Sequence, residues 1–354
     1  MRVKPVPLTP SRYAGYEGDA YELVTVIGRG AFGLVTLMTS EHSGGKLVAM
    51  KTVDRFRLTT PALRKAVAHE IRLLRAIVPP HAGIVPLLEV IETCRSIHMV
   101  FEFASGGTLH NFVAERGALG EGLSRPLARQ LCAAVAHLHA HRVCHRDLKL
   151  DNLVLDEAGS GGSEEEEELA GASGASEGAE ECAEAGGEGE ASGSVVEAAF
   201  SFRVRIIDFG LSTTWPQDDA TPMRKVAGSL AYMAPEMVAR RSYRGDKVDA
   251  WSIGVCVAAM LGGVLPFYSE TDEDLKSLIL SGDYTLPPAF AADDDDDEAD
   301  DDGDSSADDD EQETPPLSAE SLQFVARLLT LEPAERCNVT DALRHAWLQR
   351  RVSR

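Results

Sequence analysis

At 354 residues and 38.0 kDa the chain has room for two lobes with separate cores, or one large domain, but not for a string of modules. Its net charge of −23 argues against nucleic-acid binding, yet about 14 acidic residues lie between Asp156 and Phe200 and about 15 between Phe290 and Pro316, so the remainder is mildly basic, at about +6. The longest apolar run, around Val255 to Leu265, is too short and glycine-broken for a membrane span, and six cysteines without a CxxC pair behind an opening that lacks a signal core point to a reducing compartment, cytoplasmic and/or nuclear.

From Tyr21 to about Phe103 the chain reads as short strands: YELVTVIG, LVTLMTS, KLVAMKTV, IVPLLEV and SIHMVFEF, separated by glycine, proline or charged turns. One helix interrupts them over Ala62 to Ile77, where Leu63, Val67, Ile71, Leu74 and Ile77 fall near helical spacing and Pro79 and Pro80 stop it. After Gly106 and Gly107 the pattern turns helical, with LARQLCAAVAHLHAHR, then VDAWSIGVCVAAMLGG, which is nearly apolar all round as a buried helix should be, then the amphipathic SLQFVARLLTL. The two acidic tracts, at about 157–199 and 291–316, carry almost no large apolar side chain that could offset the entropy of ordering them, and are expected to be disordered.

Several motifs carry chemistry. GRGAFGLV sets Gly28, Gly30 and Gly33 between strand-like runs, so that backbone can pass close to phosphates. A dinucleotide fold would follow such glycines with a helix, whereas LVTLMTS continues as strand, which places them in a β-hairpin. VAMK puts Lys51 on the next strand, where an ammonium can reach phosphate oxygens, with Glu70 on the following helix as its ion-pair partner. HRDLKLDN supplies Asp147 as acceptor for a hydroxyl proton, Lys149 as a cation near a transferring phosphate and Asn152 as a metal ligand. IIDFG adds Asp208, a second hard oxygen ligand suited to Mg2+.

In this order GxGxxG, VAMK, HRDLKLDN, DFG and APE resemble the eukaryotic protein kinases, serine/threonine type, nearest to the calcium/calmodulin-dependent and related groups. The resemblance covers Tyr21 to Leu348 outside the acidic tracts. It implies an α+β bilobal fold: a tail at 1–20, a kinase domain at 21–348 with a β-rich N-lobe (21–104) and a mostly helical C-lobe (105–348), and a tail at 349–354. It implies ATP held by Ile27, Gly28, Arg29, Gly30, Ala31, Phe32 and Gly33 of the glycine loop, by Val35, Ala49 and Val154 around adenine, by Glu102 to Ala104 of the hinge, and by Lys51 with Glu70. Phe101 takes the gatekeeper position. Leu74, Leu87, His145 and Phe209 would stack between the lobes, Arg336 would pair with Glu236, and Asp249 would brace the catalytic loop. Lys149 and Ser229 match serine/threonine rather than tyrosine kinases. The implied partners are proteins bearing Ser or Thr, with no nucleic acid and no membrane, and the chain is expected to act as a monomer.

The chain departs from the pattern at the activation segment. Counting back from GSLAYMAPE places Lys225 where many kinases carry a phosphorylated threonine, so Arg146 would meet a like charge. Activation is therefore expected not to need phosphorylation there, with Asp218, Asp219 or a phosphorylated Thr221 as alternative anions for Arg146. Thr108 and Ala259 replace acids associated with preference for basic substrates, leaving only Asp151, although the acidic tracts offer a long-range attraction for basic proteins. A pseudokinase or scaffold that binds basic partners through those tracts is the rival reading. The presence of Lys51, Glu70, Asp147, Asn152 and Asp208 together weighs against it.

Overall fold

The computed structural model describes residues 12–14, 20–30, 33–41, 43–157, 202–215, 222–286 and 316–350. The expected disorder at 157–199 and 291–316 thus falls, apart from Glu157 and Pro316, outside the described residues, as do Ala31, Phe32, Asp218, Asp219 and Thr221. The described chain forms a β-rich N-terminal lobe and a helical C-terminal lobe, which is the bilobal α+β arrangement that the resemblance implies.

The first lobe is one antiparallel six-stranded sheet. Its strands are β1 (Arg12–Ala14), β2 (Ala20–Gly30), β3 (Gly33–Ser40), β4 (Lys46–Asp54), β5 (Leu87–Glu92) and β6 (Ser96–Glu102), in the order β1-β2-β3-β4-β6-β5. β1 lies within the stretch read as a tail, because its backbone pairs Arg12 with Glu22 and Ala14 with Ala20 at the sheet edge. Alternation sets Met38, Val48, Met50 and Val100 on one buried face. Val35, Ala49, Lys51 and Phe101, paired in the registers Val35↔Lys51 and Ala49↔Phe101, share the other.

Helix α1 (Pro61–Ala76) starts where Thr60 accepts a hydrogen bond from Leu63 N and Pro61 occupies the first turn. Val67, Ile71 and Leu73 bury its inner face, and Val67 and Ile71 pack with Val53, Leu58 and Met99 of the sheet side. Gly33 is demanded by packing, since a Cβ there would lie 1.6 Å from the Thr52 carbonyl oxygen.

The second lobe is built on α3 (Gly120–Ala140) and α5 (Gly245–Gly262), flanked by α2 (Leu109–Arg116), α4 (Pro235–Val238), α6 (Asp272–Ser281), α7 (Ala319–Leu328), α8 (Val339–Ala342) and α9 (Ala346–Gln349). α5 is buried from Val248 to Leu261, as its nearly all-round apolar character requires, with Asp249 and Ser252 the polar side chains in that stretch. Two short ribbons cross the top of this lobe: β7 (Val143–Cys144) pairs with β10 (Thr213–Thr214), and β8 (Leu153–Glu157) with β9 (Phe202–Ile206). The second ribbon runs from Leu153↔Ile206 to Glu157↔Phe202, so the first acidic tract departs from a hairpin tip.

Candidate active site

Three elements converge on the ammonium of Lys51. Its Nζ donates to Glu70 Oε1 of α1 at 2.7 Å and to Asp208 Oδ1, across the cleft in the second lobe, at 2.9 Å. Burial alone would lower the pKa of Lys51, but the charges of Glu70 and Asp208 and their hydrogen bonds raise it, which keeps the cation charged. Burial pushes Glu70 upward more than Lys51 pulls it down. For Asp208 the balance runs the other way: burial would raise it, but the Lys51 charge and hydrogen bonds from Lys51 and Gly210 bring it down. Asp208 itself adopts φ 60, a left-handed conformation that costs a non-glycine residue strain and that aims its carboxylate at the cleft.

The β8–β9 ribbon brings Asn152 beside Asp208, because Ile207 N donates to the Asn152 carbonyl at 2.9 Å just past the Leu153↔Ile206 pair. Asn152 Nδ2 donates to the Asp147 carbonyl at 2.8 Å and to Asp147 Oδ2 at 3.1 Å, which commits the amide nitrogen and leaves its oxygen as the ligating atom. Among the described residues no group of three or more His, Cys, Asp or Glu could by itself hold a metal ion. Two hard oxygen donors, Asp208 and Asn152, fit a magnesium-type ion that takes its remaining ligands from water and phosphate.

Asp147 sits in a braced loop. Asp249 of α5, fully buried, accepts the His145 N–H at 2.9 Å and the Arg146 N–H at 2.8 Å, and His139 Nε2 lies 2.9 Å from the same carboxylate. His145 is fixed as the Nε2–H tautomer, donating to the Ile207 carbonyl at 3.1 Å while its Nδ1 accepts from Asp147 N at 3.3 Å. Asp147 Oδ1 accepts both the N–H and the Oγ–H of Ser229 at 2.9 Å. Lys149 Nζ donates to Ser229 Oγ at 3.1 Å and lies 3.9 Å from Asp147 Oδ2. Gly228, at φ 114, lets this happen, since a Cβ there would lie 2.4 Å from the Arg146 carbonyl oxygen.

The other sequence-predicted residues that the structure describes fall on both lobes. Ile27, Gly28 and Arg29 lie on β2 above it, with Ile27 and Arg29 exposed and Gly28 paired with Val35. Gly30 pairs with Gly33 at the end of the hairpin. Ala49 and Val154 are half-buried, Val154 in a bridge with Thr108. At the hinge the Glu102 N–H is taken by the Pro86 carbonyl at 3.4 Å, whereas Ala104 N–H and C=O make no backbone hydrogen bond among the described residues. The side chain of Glu102 turns to Arg205, 2.6 Å away, which also holds Asp156 at 3.0 Å. Of the expected inter-lobe stack, His145 and Phe209 meet edge to face at 5.1 Å, with Leu74 on the same apolar cluster as Phe209 and Leu87 in the cluster under α1. Arg336 grips Glu236 with two bonds of 2.7 and 2.9 Å, both residues buried.

Two features were not readable from motifs. Ser229, which in the sequence marked only a substrate class, touches both Asp147 and Lys149. Lys225, expected to oppose Arg146 as a like charge, meets the guanidinium through its backbone carbonyl, at 3.5 Å, and its side chain is exposed.

The family model described as protein kinase domain matches residues 21–348. The chain belongs to the protein kinase family. It is 30% identical to the CBL-interacting serine/threonine-protein kinase 13 of Arabidopsis thaliana, over 94% of this chain and 52% of that protein. It is 27% identical to the probable serine/threonine-protein kinase MARK-A of Dictyostelium discoideum, over 97% of this chain and 25% of that protein. To the carbon catabolite-derepressing protein kinase of Candida tropicalis it is 32% identical over 80% of this chain and 38% of that protein. This kinase domain chain therefore spans about half or less of the length of these relatives.

Proposed function

We propose that the protein is a serine/threonine protein kinase, transferring the γ-phosphoryl group of ATP to Ser and Thr hydroxyls of protein substrates with Mg2+. The observation that carries this reading is the bridge from Glu70 through Lys51 to Asp208, 2.7 and 2.9 Å long, which joins the two lobes across one cleft. The relatives, all named protein kinases, support it.

In this mechanism the glycine hairpin covers the phosphates, Lys51 neutralises phosphate oxygens, and the hinge backbone at Ala104 takes the adenine edge. A magnesium ion held by Asp208 and Asn152 would neutralise charge on the phosphates. Asp147 orients the incoming hydroxyl and accepts its proton, and Lys149 stabilises charge on the transferring group. Ser229 hydrogen-bonds one oxygen of Asp147 and Asn152 the other, so the base cannot swing away from the acceptor. Basic protein substrates, a monomeric state and a cytoplasmic and/or nuclear location belong to the same proposal; among the described residues no helix is long and apolar enough to cross a membrane.

A radiolabelled ATP assay on the purified protein, with basic and acidic protein substrates, tests the reading. Transfer to Ser or Thr that Asp147→Ala abolishes is the expected result. Nucleotide binding without transfer would instead favour the scaffold reading.

A further inference from the structure

Arg146 is the one catalytic-loop cation with no carboxylate partner among the described residues, yet it is only 9% exposed. A buried guanidinium must have its donors met. Its Nε and Nη2 both donate to the Leu211 carbonyl, at 2.8 and 2.5 Å. Its Nη1 reaches the Tyr243 hydroxyl at 3.3 Å and the Lys225 carbonyl at 3.5 Å. Tyr243, 3% exposed, in turn donates its hydroxyl proton to the same Lys225 carbonyl at 2.6 Å. Its backbone exchanges two hydrogen bonds of 2.9 Å with Met223. Burial raises the Tyr243 phenol more than Arg146 lowers it, so the hydroxyl keeps the proton that it donates.

We propose that Tyr243 is a positioning residue that clamps the activation segment at Met223 and Lys225 onto Arg146 through neutral oxygens, so that the segment is held without a phosphorylated side chain. The proposal rests on the kinase reading above and specifies its regulation. Four residues beyond the clamp, Ser229 delivers its N–H and Oγ–H to Asp147, so the clamp fixes the segment that delivers them. A phosphate would compete with carbonyls that already fill the guanidinium. Lys225, which as a side chain cannot serve Arg146, serves it as a backbone acceptor.

The test uses the full chain, treated with phosphatase and shown by mass spectrometry to carry no phosphate. Wild type is expected to keep at least about half its rate, and so is Thr221→Ala, which removes the only hydroxyl residue between Trp215 and Lys225. Tyr243→Phe deletes one oxygen and retains the ring. It should lower kcat/KM for the protein substrate about tenfold, as loss of a bond to a charged group would, while the KM for ATP and the thermal midpoint stay near wild type. Adding Tyr243→Phe should also speed amide exchange at 223–227. A large loss on phosphatase treatment or in Thr221→Ala, an unchanged Tyr243→Phe, or a Tyr243→Phe loss that tracks unfolding would each overturn the clamp. No transfer by untreated wild type would overturn the kinase reading instead.

Discussion

Two ion-paired clusters in this protein, one open to the cleft and one buried, serve different ends, and substitution separates them. Lys51 lies between Glu70 and Asp208 and is 27% exposed to the cleft, where a phosphate can join it. Lys51→Met should cut kcat/KM by about 10²–10³, the scale on which single electrostatic groups act, with a small change in unfolding midpoint. Arg336 and Glu236 are nearly sealed from solvent in the second lobe. Arg336→Met strands a buried carboxylate and should destabilise the fold by about 3–5 kcal/mol, seen as a large fall in denaturant midpoint. Both pairs were legible in the sequence because motif positions name their side chains. Tyr243 was not, since its partner is a carbonyl, an atom every residue carries, and only the folded chain says which one is near.

Among the elements, α3 anchors the last part of the chain through one carboxylate. Glu121 accepts from Ser318 N at the cap of α7, from Trp347 Nε1 of α9 at 2.8 Å and from Arg125 at 3.0 Å. Burial would raise its pKa, but the hydrogen bonds from Ser318, Trp347 and Ser321 bring it down to about 2, from an ordinary 4.5. A carboxyl depressed on folding contributes stability above its unfolded pKa and loses it as pH falls toward its folded one. Glu121→Gln should therefore lower the thermal midpoint most at neutral pH, and the deficit should shrink between about pH 4.5 and 2. The same α7 was legible as an amphipathic run, and α1 came out at Pro61–Ala76 against an expected 62–77. What escaped prediction was β1, whose three residues owe their strand to pairing with β2 rather than to any pattern of their own.

At the scale of the whole molecule the charge is lopsided, with about 29 acidic residues in the tracts and a mildly basic remainder. Replacing 158–201 and 287–315 with short neutral loops should leave the thermal midpoint nearly unchanged, because closure entropy changes with connection length by only about 0.6 kcal/mol per halving. The same replacement should raise KM for a basic protein substrate at low salt, and the difference should vanish above roughly 0.5 M salt. An unchanged KM at low salt would assign the tracts no part in substrate attraction.

The first tract leaves from the tip of a ribbon whose two strands already hold each other from Leu153↔Ile206 to Glu157↔Phe202, and Gln130 of α3 clips β9 on its far side through Phe202 O and Val204 N. Covalent continuity at that tip is therefore dispensable for bringing Asn152 to Asp208. Two separately expressed fragments, divided near residue 180, should reassemble into one phosphoryl-transferring particle, with catalysis reporting on complementation of the halves.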